Sequence, residues 1–319
     1  MTLRYLLVRF AGTVATLFGV AVVVFVVLRA LPGDTITARL GTESAVLDAA
    51  QRAALERYYG IDQPLPTQFL SWLSGVLTGD LGISIDSGAS VASLIGAALP
   101  VTVQLAVFAL LIATPVGVLL GVLSANRAGS GRDLTIQGFG LFGLAVPEFV
   151  TGSVTVAVLA TVFSYFPDPG TYVPLSESVS GNLRQMMYPA LVLSVGLVAT
   201  IMRTTRSAYL ELARADFVRT AKGKGVAPRR IRVRHILRAA AVPIVTMVGI
   251  QFGYLLGGTV IVEQIFALPG LGRLLLQGIL TQDYAVVQGA TLLVATAFVL
   301  VNLAVDLLYR TLDPRTTLS

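Results

Sequence analysis

The chain has 319 residues, of which 55% are apolar and only 13% charged, against about 25% charged in ordinary soluble domains. So much apolar surface cannot be hidden in a core of this size, which excludes an ordinary soluble protein and makes lipid the solvent for much of the chain. The net charge of +6 is unevenly spread, while the lack of cysteine and the single histidine, His235, exclude disulfides, thiolate chemistry and any multi-histidine metal site.

From the N-terminus, Phe10 to Leu28 is an uncharged apolar run that follows Arg4 and Arg9. It is longer than a signal-peptide core and no A-x-A site follows it, so it reads as a retained first span. Segment 29–96 reads as folded outside the bilayer. Within it, Ser44 to Tyr59 carries an N-cap candidate and helix-forming residues, and Pro64 and Pro66 break the chain. Thr67 to Leu77, with Trp72, predicts a short amphipathic helix. Apolar runs at 97–125, 134–163, 186–202, 240–262 and 284–309 complete six predicted spans, with Pro115 a kink repaired by neighbouring helices. Glu148, beside Pro147, is the main ionisable group inside a span. It reads either as a helix-start or kink residue, or as part of a pathway or gate, for which Gln251 and Tyr254 are the other candidates. Asp306 lies four residues before Arg310 and predicts a pair along the last helix.

Loop charge sets the orientation. Arg4 and Arg9, the turn near Arg127 and Arg132, segment 203–238 and the tail with Arg310 and Arg315 are basic. The intervening loops 29–96, 164–185 and 263–283 are not, so both termini are predicted to be cytoplasmic. The organisation predicted is a first transmembrane helix (1–29), an extracytoplasmic segment (30–96), a five-helix core (97–310) that includes the cytoplasmic loop 203–238, and a tail (311–319).

No phosphate-binding G-x-x-x-x-G-K-[ST] loop, H-E-x-x-H or G-x-S-x-G occurs, so no catalytic residue is assigned. Proton- or ion-coupled carriers usually keep several buried charges as relays, and the spans here hold very few. Energy is therefore expected from elsewhere; a proton-coupled carrier and a membrane-embedded enzyme are the rival readings. The strongest signal is the cytoplasmic segment Ala215 to Val226. Asp216 is placed to cap a short helix and favour its positive dipole end. Phe217 offers an exposed knob, Gly225 can take the left-handed conformation that ends a helix, and Pro228 blocks continuation. Arg229 to His235 follow, and the chain is expected to re-enter the membrane near Pro243. A polybasic patch for anionic lipid would explain the charge but not the helix punctuation.

The run Phe217-Val218-Arg219-Thr220-Ala221-Lys222-Gly223-Lys224-Gly225-Val226-Ala227-Pro228-Arg229-Arg230, followed by Arg234-His235-Ile236-Leu237-Arg238 and Pro243, resembles the EAA loop of ABC importer permeases. More narrowly it resembles the dipeptide, oligopeptide and nickel subfamily. Arg219 and Thr220 stand where the literal motif has Glu and Ala, a departure typical of that subfamily. Val27 to Asp34, Tyr59 to Pro64, Gly79-Asp80-Leu81-Gly82, Gly257 to Glu263 with Pro269-Gly270, and Asp313-Pro314-Arg315 match the first permease of the pair at similar spacing. The resemblance implies an all-α integral membrane protein with six transmembrane helices, N-in and C-in, in the type I importer permease (MetI-like) fold. It implies a homologous second permease, two ATPase subunits and an extracytoplasmic solute-binding protein as partners, alongside membrane lipid and no nucleic acid. It implies no metal and no cofactor in this chain, ATP and Mg being bound by the ATPases. Asp216, Phe217, Arg219, Thr220, Ala221, Lys222, Lys224 and Gly225 become the expected ATPase contact. The implied cargo is a peptide, with a nickel chelate or other small solute as the alternative.

Overall fold

The computed structural model describes residues 3–30, 48, 50–51, 54, 62–168 and 170–312. Most of the expected helix at Ser44–Tyr59, residues 31–34 and 59–61 of the resemblance motifs, the side chain of Arg310 and the Asp313-Pro314-Arg315 tail lie outside the described residues or side chains. Among the described residues the secondary structure is helical, with no strand beyond one isolated bridge between Ile83 and Ser90. The helices are α1 (Leu3–Ala30), α2 (Leu65–Thr78), α3 (Val91–Ala125), α4 (Gly131–Ala145), α5 (Glu148–Phe163), α6 (Val179–Ala213) and α7 (Asp216–Gly223). They continue as α8 (Pro228–Gly258), α9 (Val260–Ile265), α10 (Leu271–Leu280) and α11 (Tyr284–Leu312).

Five of these, α1, α3, α6, α8 and α11, are long and apolar enough to cross a membrane. The sixth predicted span, 134–163, is not one rod: α4 and α5 meet at a 91° bend. Pro147 causes it. The residue before a proline is pushed out of the helical region, and Val146 sits at φ −80°, ψ 119°. Glu148 is then the first residue of α5, as its kink reading expects.

The helices form two compact units. One holds the described parts of 1–101 together with 269–299. Here α1 and α2 meet through Phe18, Phe25, Phe69 and Trp72, whose ring centroids lie 5.2–6.0 Å apart. Arg29 stacks 4.0 Å over Phe25 and donates to Gln68 at 2.9 Å. Val91, Ile95 and Ala98 pack on Leu271, Val286 and Ala290. Asp283, 1% exposed, accepts the Ser84 hydroxyl at 2.6 Å and the Ile85 N–H at 2.9 Å, and also caps the start of α11 through the Val286 N–H.

The second unit holds 102–268 and the described part of 300–319, with α6 packed on α4 and α8. Helix–helix packing within lipid relies on small residues that let backbones approach. Gly117 and Gly121, four apart on α3, do this against α6; a Cβ on Gly121 would lie 2.6 Å from the Thr205 Cβ and 2.7 Å from the Met202 carbonyl oxygen. Pro228 opens α8 rather than merely ending α7, because a proline is tolerated in a first helical turn whose N–H has no partner anyway. Pro243, near which the chain is expected to re-enter the membrane, lies inside α8. The intervening Arg229–His235 run is helical, with a π segment at Ile231–Leu237.

Candidate functional site

The candidate site is the basic segment between α6 and α8, which the loop-charge tally places on the cytoplasmic side. Asp216 in the first turn of α7 and Lys222 in the last both suit the helix dipole. The capping expectation for Asp216 is corrected. The N-cap is Ala215, with no side-chain cap, and the Asp216 carboxylate instead meets Arg219 at 3.5 Å on an exposed surface. One position inside the cap, a carboxylate is already part of the helical turn and no longer bridges its free N–H groups.

Two residues three apart, Val218 and Ala221, anchor α7. They are buried in a cluster with Ala125 of α3, Tyr209 of α6, and Ile231 and Ile236 of α8. Tyr209 adds a hydrogen bond to Asn126 at 2.9 Å. The remaining face of α7 is free. Phe217 is 42% exposed, and Arg219, Thr220, Lys222 and Lys224 are also exposed. Gly225 ends the helix with φ +71°. Its N–H donates to the Lys222 carbonyl at 2.9 Å and the Val226 N–H donates to the Ala221 carbonyl at 3.1 Å, the paired bonds of a Schellman cap. The eight residues named by sequence thus share one helix and its cap, with an anchored apolar side and an open side led by an aromatic ring.

The pathway candidates are divided. Glu148 and Gln251 line one cavity of about 260 Å³ with Thr151 and Thr200, whereas Tyr254 is exposed and does not line it. Among the described residues no cluster of three or more His, Asp or Glu could hold a metal.

Several polar nodes escape sequence reading. Asp133, 1% exposed, takes a two-pronged bond from Arg206, Nε at 2.9 Å and Nη2 at 2.8 Å. It also accepts from the Ser124 hydroxyl, the Gly129 N–H at 2.8 Å and Gln137 at 3.0 Å. The one local signal was Ser130-x-x-Asp133, a helix-start pattern, and Ser130 does cap α4. Glu263, within the exit motif, is fully buried and accepts the Thr102 hydroxyl at 2.6 Å and that of Thr259 at 2.9 Å. Asn182, also fully buried, bonds Gln104 and the Val173 carbonyl, the latter at 2.9 Å.

Comparison with known proteins places these features in company. Residues 117–318 match the family described as "Binding-protein-dependent transport system inner membrane component", and residues 2–106 match its N-terminal counterpart. Over 314 residues the chain is 36% identical to the "Probable peptide ABC transporter permease protein y4tP" of Sinorhizobium fredii, covering 98% of each. It is 35% identical over 335 positions to the "Dipeptide transport system permease protein DppB" of Escherichia coli, again covering 98% of each. Among solved structures it is similar to the inward-facing MetNI methionine ABC transporter, with TM-score 0.51, 20% identity, and coverage of 69% of this chain and 96% of that one. An amino acid ABC transporter gives TM-score 0.50 at 16% identity, over 70% and 94%. At such identities the structural likeness speaks for the fold.

Proposed function

The chain belongs to the binding-protein-dependent transport system inner membrane component family, and from that membership we propose that it conducts peptides through an ATP-driven importer without catalysing any reaction itself. It is a multi-pass inner-membrane permease of the ABC importer class. The observation that carries the peptide reading is identity of 35–38% over at least 97% of the chain to several permeases named for peptides or dipeptides.

The work is vectorial. Cargo handed over by a solute-binding protein crosses between the helices of this chain and a homologous second permease, and two ATPase subunits hold the ATP and Mg and supply the energy. In this reading α7 is the part that feels the ATPases. Its exposed face, with Phe217 and the cations Arg219, Lys222 and Lys224, seats in a cleft on an ATPase. Its buried face, Val218 and Ala221, passes the displacement to the ends of α3, α6 and α8.

The test is reconstitution with both ATPases, the second permease and the binding protein in vesicles. ATP-dependent accumulation of a labelled di- or oligopeptide is the expected result, with no ATP turnover by the purified chain alone. Uptake of a nickel chelate with no uptake of any peptide would overturn the cargo; turnover by the chain alone would overturn the division of labour.

A further inference from the structure

Arg203 and Arg206 sit three residues apart on α6, and the chain treats them differently. Arg206 is neutralised by the buried Asp133 at 2.8 Å. Arg203, the first residue of the segment whose charge predicts a cytoplasmic position, is exposed and makes no ion pair or hydrogen bond among the described residues. The Glu148 carboxylate, at the elbow between α4 and α5, is likewise without a partner among them. Glu148 lies within the predicted span 134–163, where an ionised group is costly and commonly marks the path of a polar substrate.

These two groups border adjoining spaces. Arg203 lines an open groove of about 540 Å³ with Thr200, Thr204, Ser207 and Glu211 of the same helix and with Pro243 and Met247 of α8. Glu148 lines the cavity of about 260 Å³ described above, with Thr151 and Gln251. Thr200 borders both. Positions 200, 203, 204, 207 and 211 recur at helical spacing and form one polar stripe along α6. The groove falls within the range of about 300–1,000 Å³ usual for small-molecule sites.

We propose that this stripe is a subsite for the termini of a zwitterionic peptide in transit, Arg203 receiving the α-carboxylate and Glu148 the α-ammonium. The guanidinium fork matches a carboxylate in shape as well as charge. The hydroxyls of Thr200, Thr204 and Ser207 offer bonds to the peptide groups between the ends. Both charges are left open because the cargo is their intermittent partner, whereas Arg206 has a permanent one. The inference rests on the peptide reading above.

The chain has no cysteine, so Ser207→Cys introduces a single thiol beside Arg203. The importer is assembled with cysteine-free partner subunits, without nucleotide or binding protein, and the labelling rate of the Ser207→Cys thiol is followed by a small thiol reagent. Alanyl-alanine at millimolar concentration is expected to slow labelling several-fold. Its C-terminal amide and its N-acetyl form are each expected to protect less. Arg203→Gln should erase the difference between acid and amide while keeping that between free and acetylated amine; Glu148→Gln should do the converse. Should Arg203→Gln not assemble, Arg203→Lys, which keeps the charge and loses the fork, is expected to shrink the acid–amide difference. Equal protection by all three peptides, no protection by any, or an unchanged acid–amide difference in the Arg203 variant that assembles would overturn the proposal. Those are the outcomes if Arg203 serves a lipid phosphate or an acid on a neighbouring subunit. Peptide uptake by the unsubstituted importer is scored separately, so a failed subsite and a failed peptide reading give different results.

Discussion

Replacing Gly225 tests whether the angle of α7 matters. At φ +71° the residue lies in the left-handed region, where an L side chain costs about 1–2 kcal/mol. No heavy atom lies within 4 Å of the position a Cβ would take, so crowding adds nothing and the strain is purely of the backbone. That cost is a factor of roughly 5–30 against the capped helix end. Gly225→Ala should show the low end and the β-branched Gly225→Val more, whereas Gly225→Asn should be milder because asparagine tolerates this region. Membrane insertion and docking of the binding protein do not depend on α7 in this reading and should survive. In reconstituted vesicles, peptide uptake and cargo-stimulated ATPase should fall together in the order Asn, Ala, Val. If α7 and the basic run served only anionic lipid, Gly225→Val would be silent and charge reversal at Arg229 and Arg230 would do the damage. Normal ATP-coupled uptake in Gly225→Val would refute the reasoning.

Phe217→Asp should also lower uptake and stimulated ATPase together while leaving the folded subunit intact, since the ring is 42% exposed and its loss disturbs no core; a wild-type uptake rate would count against an apolar socket. Asp133→Asn strands the partly buried Arg206 guanidinium and should cost about 3 kcal/mol, read as a lowered melting temperature of the purified complex. Adding Arg206→Met should recover part of that loss, and a double variant as unstable as the single one would show that the ion pair is not the cause. Gly121→Ala should destabilise by about 1–3 kcal/mol through contact with Thr205 and Met202, while Gly138→Ala, with open space around it, should be neutral or better in the same melt. Cysteines at Ser44 and at the exposed Ser87 should react with a membrane-impermeant thiol reagent in intact cells with a permeabilised outer layer; labelling only after lysis would invert the topology.

What could be read from sequence was what local chemistry decides. The end of α7 is written in adjacent residues: a glycine after a lysine-rich turn, then a proline, and Gly225 does adopt the left-handed cap. The long spans were legible because lipid demands apolar length. The break at Pro147 was less so, since the largely apolar sequence on both sides, interrupted only by Glu148, suits one span as well as two short helices. Arg229 to His235 received no helix assignment because charge dominated the pattern, yet the run is the first part of α8. The tertiary nodes were out of reach. Asp133 finds Arg206 across 73 residues, Glu263 finds Thr102 across 161, and Asp283 finds Ser84 across 199, with no periodicity linking either end to the other.

The coupling reading also requires a mechanical path, and the packing supplies one. A short helix that touched the permease only through its flanking loops would swivel when pushed. Val218 and Ala221 prevent that by sitting in a shared apolar cluster with one residue of α3, one of α6 and two of α8. Interiors packed in this way transmit strain rather than absorb it. Above the cluster, the Asp133–Arg206 pair fastens the first turn of α4 to α6, and Gly117 and Gly121 hold α3 against the same helix. On this view the ATPases displace the cytoplasmic ends of α3, α4, α6 and α8 as one body, and the polar stripe from Thr200 to Glu211 rides on the helix at its centre. Closure of the ATPases and the exposure of Arg203 to cargo are then set by the same displacement of α6. A permease with α7 intact but the Asp133–Arg206 fastening removed should therefore still stimulate its ATPases while importing less peptide per ATP.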